Sequence, residues 1–229
     1  PVMKIQHFDT RENCAAALSN ELANTLQAAL KNKNLVSMAL SGGRSPMLVL
    51  PRLAKAAVDW GRVCVTLSDE RCVTLDNAAS NAEMVQSNFI NKGANAARFY
   101  PLWTEATTLL DGAERVAESL KNLPMPIDAI YLGMGEDGHF ASLFPTQDTA
   151  TLDSETLPLV MGTAPNEPRQ RISLSLSAIK ASDQIFLHVT GAAKRGVFAR
   201  AQTMPPTYMC PISLLLADES LNLSVFTCN

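Results

Sequence analysis

Tyr131 to Pro145 reads YLGMGEDGHFASLFP. Gly133, Gly135 and Gly138 carry the spacing G-x-G-x-x-G, which at the junction of a strand and a helix cradles a dinucleotide pyrophosphate. The preceding run IDAIYL (127–132) is apolar and predicts a buried strand. The glycines therefore stand where a strand ends and a loop opens. His139 follows the last of them directly, with Asp137 two positions before it. An imidazole at that place suits a general base better than it suits a phosphate cradle. A helical turn holding Ala141 and Ser142 is expected just beyond.

Outward from this loop the chain alternates strands and helices. Leu18, Leu22, Leu26 and Leu30 recur every fourth position and predict a long amphipathic helix from Asp9 to about Asn32, with Asp9 and Glu12 placed to cap it. LVSMAL (35–40) predicts a strand, SGGRSP a tight loop, and MLVLPRLAKAA a helix with Ser45 at its N-cap and Pro46 in its first turn. RVCVTL (62–67) predicts a second strand running into the loop SDERCVTLDNAAS. Ser80 and Glu83 form a capping box for NAEMVQSNFINK. A short strand near RFYPL and a helix over 109–120 come next. After the glycine loop, LPLVMG, RISLSL and QIFLHVT read as strands, GAAKRGVFARA and PISLLLADES as helices, and NLSVFT as a closing strand. This rhythm predicts one α/β domain over residues 1–229, with a mostly parallel, Rossmann-like sheet covered by helices on both faces.

Sheets of this kind bind ligands beyond the carboxyl ends of their strands. The unusual loops all fall there. Ser41, Gly42 and Gly43, followed by Arg44 and Ser45 before a helix, offer bare N–H groups and hydroxyls for a phosphate, or else make a plain strand-to-helix turn. Asp69, Glu70 and Arg71 at a strand end are either a solvated triplet or a set that binds sugar hydroxyls and supports an oxyanion. Arg171 opens a strand and Lys194 stands in a first helical turn, where the dipole disfavours a cation. A bound phosphate between them would explain that placement, as would two solvated surface cations. His7 and His188 read as structural.

A formal net charge of −3 leaves no basic excess for a nucleic-acid backbone, so an anionic ligand needs a local basic pocket. The five cysteines stand apart with no C-x-x-C pair, which points to a reduced, cytoplasmic chain and to no metal site. No apolar run reaches the about 18 residues that span a bilayer, and the start PVMKIQHF lacks the apolar core of a signal peptide.

ALSGGRSP, LSDERCV with SNAEMV behind it, LGMGEDGHFASLFP, RISLSL and TGAAKRGV together resemble, in order and spacing, the 6-phosphogluconolactonases. The resemblance runs in motifs from about Val36 to Val197. DGHFASLFP and the DER triplet set that family apart from its fold relatives, the glucosamine-6-phosphate deaminases. It implies hydrolysis of 6-phosphogluconolactone to 6-phosphogluconate in the oxidative branch of the pentose phosphate pathway, without metal or organic cofactor; a monomer is the expected state. His139 would be the base, Arg71 the oxyanion support, and Asp69, Glu70 and Asp137 the holders of catalytic groups and sugar hydroxyls. Ser41, Gly42, Gly43, Arg44, Ser45, Gly135, Arg171 and Lys194 would bind the substrate and its phosphate. Arg44 stands where many relatives have a smaller polar residue, so it either adds a phosphate contact or points outward. A non-catalytic sugar-phosphate sensor would need a DNA-binding domain, for which the amphipathic helix expected before the first strand leaves no room.

Overall fold

The computed structural model describes residues 3–106 and 108–229, so Pro1 and Val2 of the opening PVMKIQHF lie outside the described residues. The chain begins with a strand the sequence pattern did not announce, β1 (Lys4–Phe8), almost wholly exposed. It is recognisable only through its parallel partner near the other end of the chain, where Lys4 stands opposite Ser224 and Phe8 opposite Cys228.

Helix α1 (Arg11–Leu30) follows, with Leu18, Leu22, Leu26 and Leu30 on its buried side. Each such side chain taken from water contributes about 1.5–3 kcal/mol. Its cap is Thr10, whose Oγ1 accepts from the Asn13 N–H at 3.2 Å, and not the expected Asp9. Glu12 lies in the first turn, where its charge suits the dipole. Next come β2 (Val36–Leu40), α2 (Pro46–Leu53) and β3 (Val63–Leu67), both strands buried at every position. Ser45 holds the N-cap position of α2, as expected, but makes no capping hydrogen bond; its hydroxyl lies 3.2 Å from that of Thr190 instead.

The stretch expected to be loop after β3 contains β4 (Asp69–Arg71). Then follow α3 (Asn81–Asn88), β5 (Arg98–Phe99), α4 (Leu109–Leu120) and β6 (Ala129–Gly133). At α3 only half of the capping box forms. Ser80 accepts from the Glu83 N–H, while the Glu83 carboxylate turns to Ser87. The remainder is β7 (Leu159–Thr163), β8 (Gln170–Leu174), α5 (Leu176–Lys180), β9 (Ile185–Thr190), α6 (Ala192–Ala201), α7 (Ile212–Leu216) and β10 (Leu223–Cys228). The run RISLSL stops being a strand at Leu174, because Ser175 caps α5 by accepting from the Ala178 N–H.

The main sheet has the order β1-β10-β9-β6-β2-β3-β5 and is parallel at every pairing, with helices flanking it. Its connections reverse direction between β2 and β6, the switch point at which such sheets open a crevice. β4, β8 and β7 leave this sheet and form a small antiparallel one. Since β4 begins two residues after β3 ends, the small sheet stands on the carboxyl rim, beside the switch point.

Candidate active site

The loops leaving β2 and β6 meet across the switch point, and a cleft of about 190 Å³ opens between them, β4, β8 and the start of α6. Of the residues expected at a site, Ser41, Gly42, Gly43, Asp69, Arg71, Gly135, His139, Arg171 and Lys194 line it. Gly133 and Ala141, read from the sequence only as parts of the loop, line it too, as do Met134 and Asn81, which were not singled out. Asn81 carried one legible signal, its place directly after the capping serine of α3. Its side chain packs under the glycine loop, so a Cβ on Gly42 would stand 1.9 Å from Asn81 Oδ1.

His139 is held from below by Asp137. Asp137 Oδ1 accepts from the His139 backbone N–H at 3.0 Å and lies 2.6 Å from its Nδ1. Partial burial would raise the Asp137 carboxyl, but the hydrogen bonds and charge of His139 outweigh it and hold it below the usual range. An ionised carboxylate on Nδ1 places the proton there and leaves Nε2 as the basic nitrogen. The expected helical turn after His139 is a tight turn instead, with Phe140 bridging to Leu143 and Ala141 at φ +48°. Gly138 is at φ +83°, a region glycine enters without steric cost.

Three cations line the same cleft as this imidazole. Arg71 and Arg171 stand directly opposite one another across β4 and β8. Burial, and then the Arg71 charge, pull the Arg171 guanidinium down from its ordinary value. Arg171 is steadied by Nε donating to the Pro168 carbonyl at 2.8 Å and by the Phe144 ring 5.8 Å away. The same ring lies 4.8 Å from that of His139. Arg71 donates through Nη1 to the Ala79 carbonyl at 2.6 Å and to Asn81 Oδ1 at 3.2 Å, while its Nε is buried without a partner among the described residues. Lys194 is pulled down mainly by burial, with Glu136 opposing and Arg44 and Arg11 adding to the shift. Two guanidiniums and an ammonium pulled down by burial line one cleft of a net acidic chain, an arrangement chemically able to hold an anion.

The carboxylates of the DER triplet divide. Asp69 lines the cleft and is fixed by the Ser142 hydroxyl at 2.6 Å and the Ser68 hydroxyl at 3.0 Å. Glu70 is buried and turned away from the cleft. It accepts from the backbone N–H groups of Arg71, Asn81 and Ala82 at 2.6, 2.8 and 2.7 Å, and from Ser80 Oγ at 3.2 Å. Burial pushes its carboxyl up and these N–H groups pull it back. All four neighbours are donors, so it accepts as a carboxylate and ties β4 to the start of α3. Arg44 and Ser45 also lie outside this cleft. With Arg11, His188, Thr190, Glu136 and Lys194 they line a neighbouring one of about 400 Å³. Arg44 is exposed there.

His188 belongs to a buried group. Its Nδ1 lies 2.9 Å from the Tyr131 hydroxyl and its Nε2 3.4 Å from Cys14 Sγ, and Cys228 Sγ completes a trio of donor atoms within 4.8 Å of one another. Burial, then Lys194 and Arg11, bring the imidazole down to about 4.

The model of the family described as glucosamine-6-phosphate isomerases/6-phosphogluconolactonase matches residues 9–223. The chain belongs to this family. Among relatives within the glucosamine-6-phosphate isomerase/6-phosphogluconolactonase family, a Pseudomonas putida protein named 6-phosphogluconolactonase is 36% identical, over 99% of this chain and 93% of its own length. One from Mesorhizobium japonicum with the same name is 38% identical, over 96% and 92% respectively. The crystal structure of a 6-phosphogluconolactonase from Shewanella baltica superposes with a TM-score of 0.94 at 34% identity, covering 99% of this chain and 98% of that one. The family's parallel sheet with its helices is the architecture found here.

Proposed function

We propose that this chain hydrolyses 6-phosphoglucono-1,5-lactone to 6-phosphogluconate, the lactone-opening step of the oxidative pentose phosphate pathway. The observation that carries this reading is the Asp137–His139 pair set across one cleft from Arg71, Arg171 and Lys194. An ester carbonyl needs a base for water and a donor for the oxyanion, and a phosphate needs cations. The cleft supplies all three.

With Nδ1 engaged by Asp137, His139 Nε2 takes a proton from water as the water oxygen adds to the lactone carbonyl. Arg71, which lines the cleft beside His139, stabilises the charge that develops on the carbonyl oxygen. As the intermediate collapses the ring C–O bond breaks, and the imidazolium returns its proton to the departing ring oxygen. Water has then been added across the ester. Lys194 and Arg171, with the N–H groups of Gly42 and Gly43, anchor the phosphate, and Asp69 accepts from sugar hydroxyls. No step calls for a metal or an organic cofactor.

The five free thiols support a reducing, cytoplasmic setting, and no described helix is long and apolar enough to cross a membrane. A monomer is the expected state, to be checked by sedimentation. A coupled assay on freshly generated lactone tests the activity, counting only acceleration over spontaneous hydrolysis. Ammonia release from glucosamine 6-phosphate, without such acceleration, would overturn it.

A further inference from the structure

We propose that Cys14, Cys228 and His188 form a binding site for a thiophilic d10 dication, Zn²⁺ in the first instance, separate from the catalytic cleft. The donors come from α1, β10 and β9, far apart in sequence, and the fold brings two sulfurs and one ring nitrogen within 4.8 Å of one another. On a zinc tetrahedron with ordinary bond lengths, sulfur and nitrogen ligands stand about 3.5 Å apart and two sulfurs about 3.8 Å apart. The observed separation of Cys14 Sγ from His188 Nε2 is 3.4 Å. That pair already stands at the tetrahedral separation, and Cys228 Sγ lies within 4.8 Å of both.

Two further features favour a cation over a mere packing cluster. The far nitrogen of His188 is held by the Tyr131 hydroxyl at 2.9 Å, which orients the ring and, with Nδ1–H donating, leaves the Nε2 lone pair directed at the sulfurs. His188 also lines the cleft of about 400 Å³ beside the catalytic one, so the trio borders an open space although its two sulfurs are buried. Lys194 and Arg11 line that cleft and would repel a bare dication. Binding releases the two thiol protons, however, so Zn²⁺ with two thiolates and a neutral imidazole carries no net charge where it is buried. The ion would tie α1 to the last two strands of the chain. It would take no part in hydrolysis.

The test uses the full chain, stripped by chelator and reduced with a phosphine that does not bind metals. Titrated Co²⁺ is expected to give the intense visible bands of tetrahedral cobalt and a thiolate-to-cobalt charge-transfer band, both abolished by Zn²⁺. Cys14→Ser and Cys228→Ser should each weaken the charge-transfer band and the double variant should lose it, while Cys72→Ser and Cys210→Ser should keep it in full. Zinc-edge absorption on the wild type, which needs no variant to fold, should show sulfur at about 2.3 Å and nitrogen at about 2.0 Å. No uptake, a shell of oxygen and nitrogen only, or a charge-transfer band that survives in the double variant overturns the site.

Discussion

Asp137 Oδ1 engages His139 twice, at 3.0 Å through the backbone N–H and at 2.6 Å through Nδ1, so one carboxylate oxygen sets both the loop and the ring it presents. His139→Ala is therefore expected to leave the fold intact and to lower kcat by roughly 10²-fold or more. His139→Asn, similar in size but without a titrating nitrogen, should be as slow. Asp137→Asn should lower kcat by less than His139→Ala does. A near-normal kcat in His139→Ala refutes the assignment.

Gly135 is required by the same ring. A Cβ there would stand 2.2 Å from His139 Cε1 and Nδ1 and 2.8 Å from Asp137 Oδ1. Gly135→Ala should displace the imidazole and lower kcat by about 10²-fold, the usual scale for misplacing a catalytic group by about 1 Å. Circular dichroism and Tm should change little. An unaffected kcat would mean that His139 works from another position.

Glu70 and Asp69 should separate cleanly. Glu70→Gln turns amide hydrogens toward a nest of donors, so folding should lose about 2–4 kcal/mol while kcat per folded molecule is largely kept. Chemical denaturation beside active-site titration measures both. A large kcat loss at unchanged stability would return Glu70 to the reacting atoms.

Lys194→Ala should act on the phosphate. KM should rise by an amount worth about 1.5–3 kcal/mol, with kcat nearly unchanged. Gluconolactone without a phosphate should be a poor substrate for the wild type and indifferent to the substitution. Equal losses on both lactones would make Lys194 structural or catalytic instead.

Exhaustive chelation should leave kcat intact, because base, oxyanion donor and phosphate anchors are side chains of the cleft. Among the described residues the metal-ligand trio stands elsewhere, at Cys14, His188 and Cys228. Activity lost to the chelator and restored by zinc would overturn the water-activation scheme.

Local periodicity and punctuation determined much of this protein by themselves. The four leucines of α1, the buried runs VSMAL and VCVTL, and the glycines before His139 specify elements through contacts within a few residues, and alternation then implies a parallel sheet with its loops on one rim. Other features were illegible because their cause lies at a distance. β1 is exposed and is a strand only through β10, and β4 is a strand only through β8. Glu70 and Asp69 are neighbours of the same chemistry, yet α3 draws one inward while the cleft keeps the other. Arg71 and Arg171 come to line one cleft only because two strands register them opposite one another. Cys14, His188 and Cys228 looked scattered because the order of the strands, and not their spacing in the chain, brings them together.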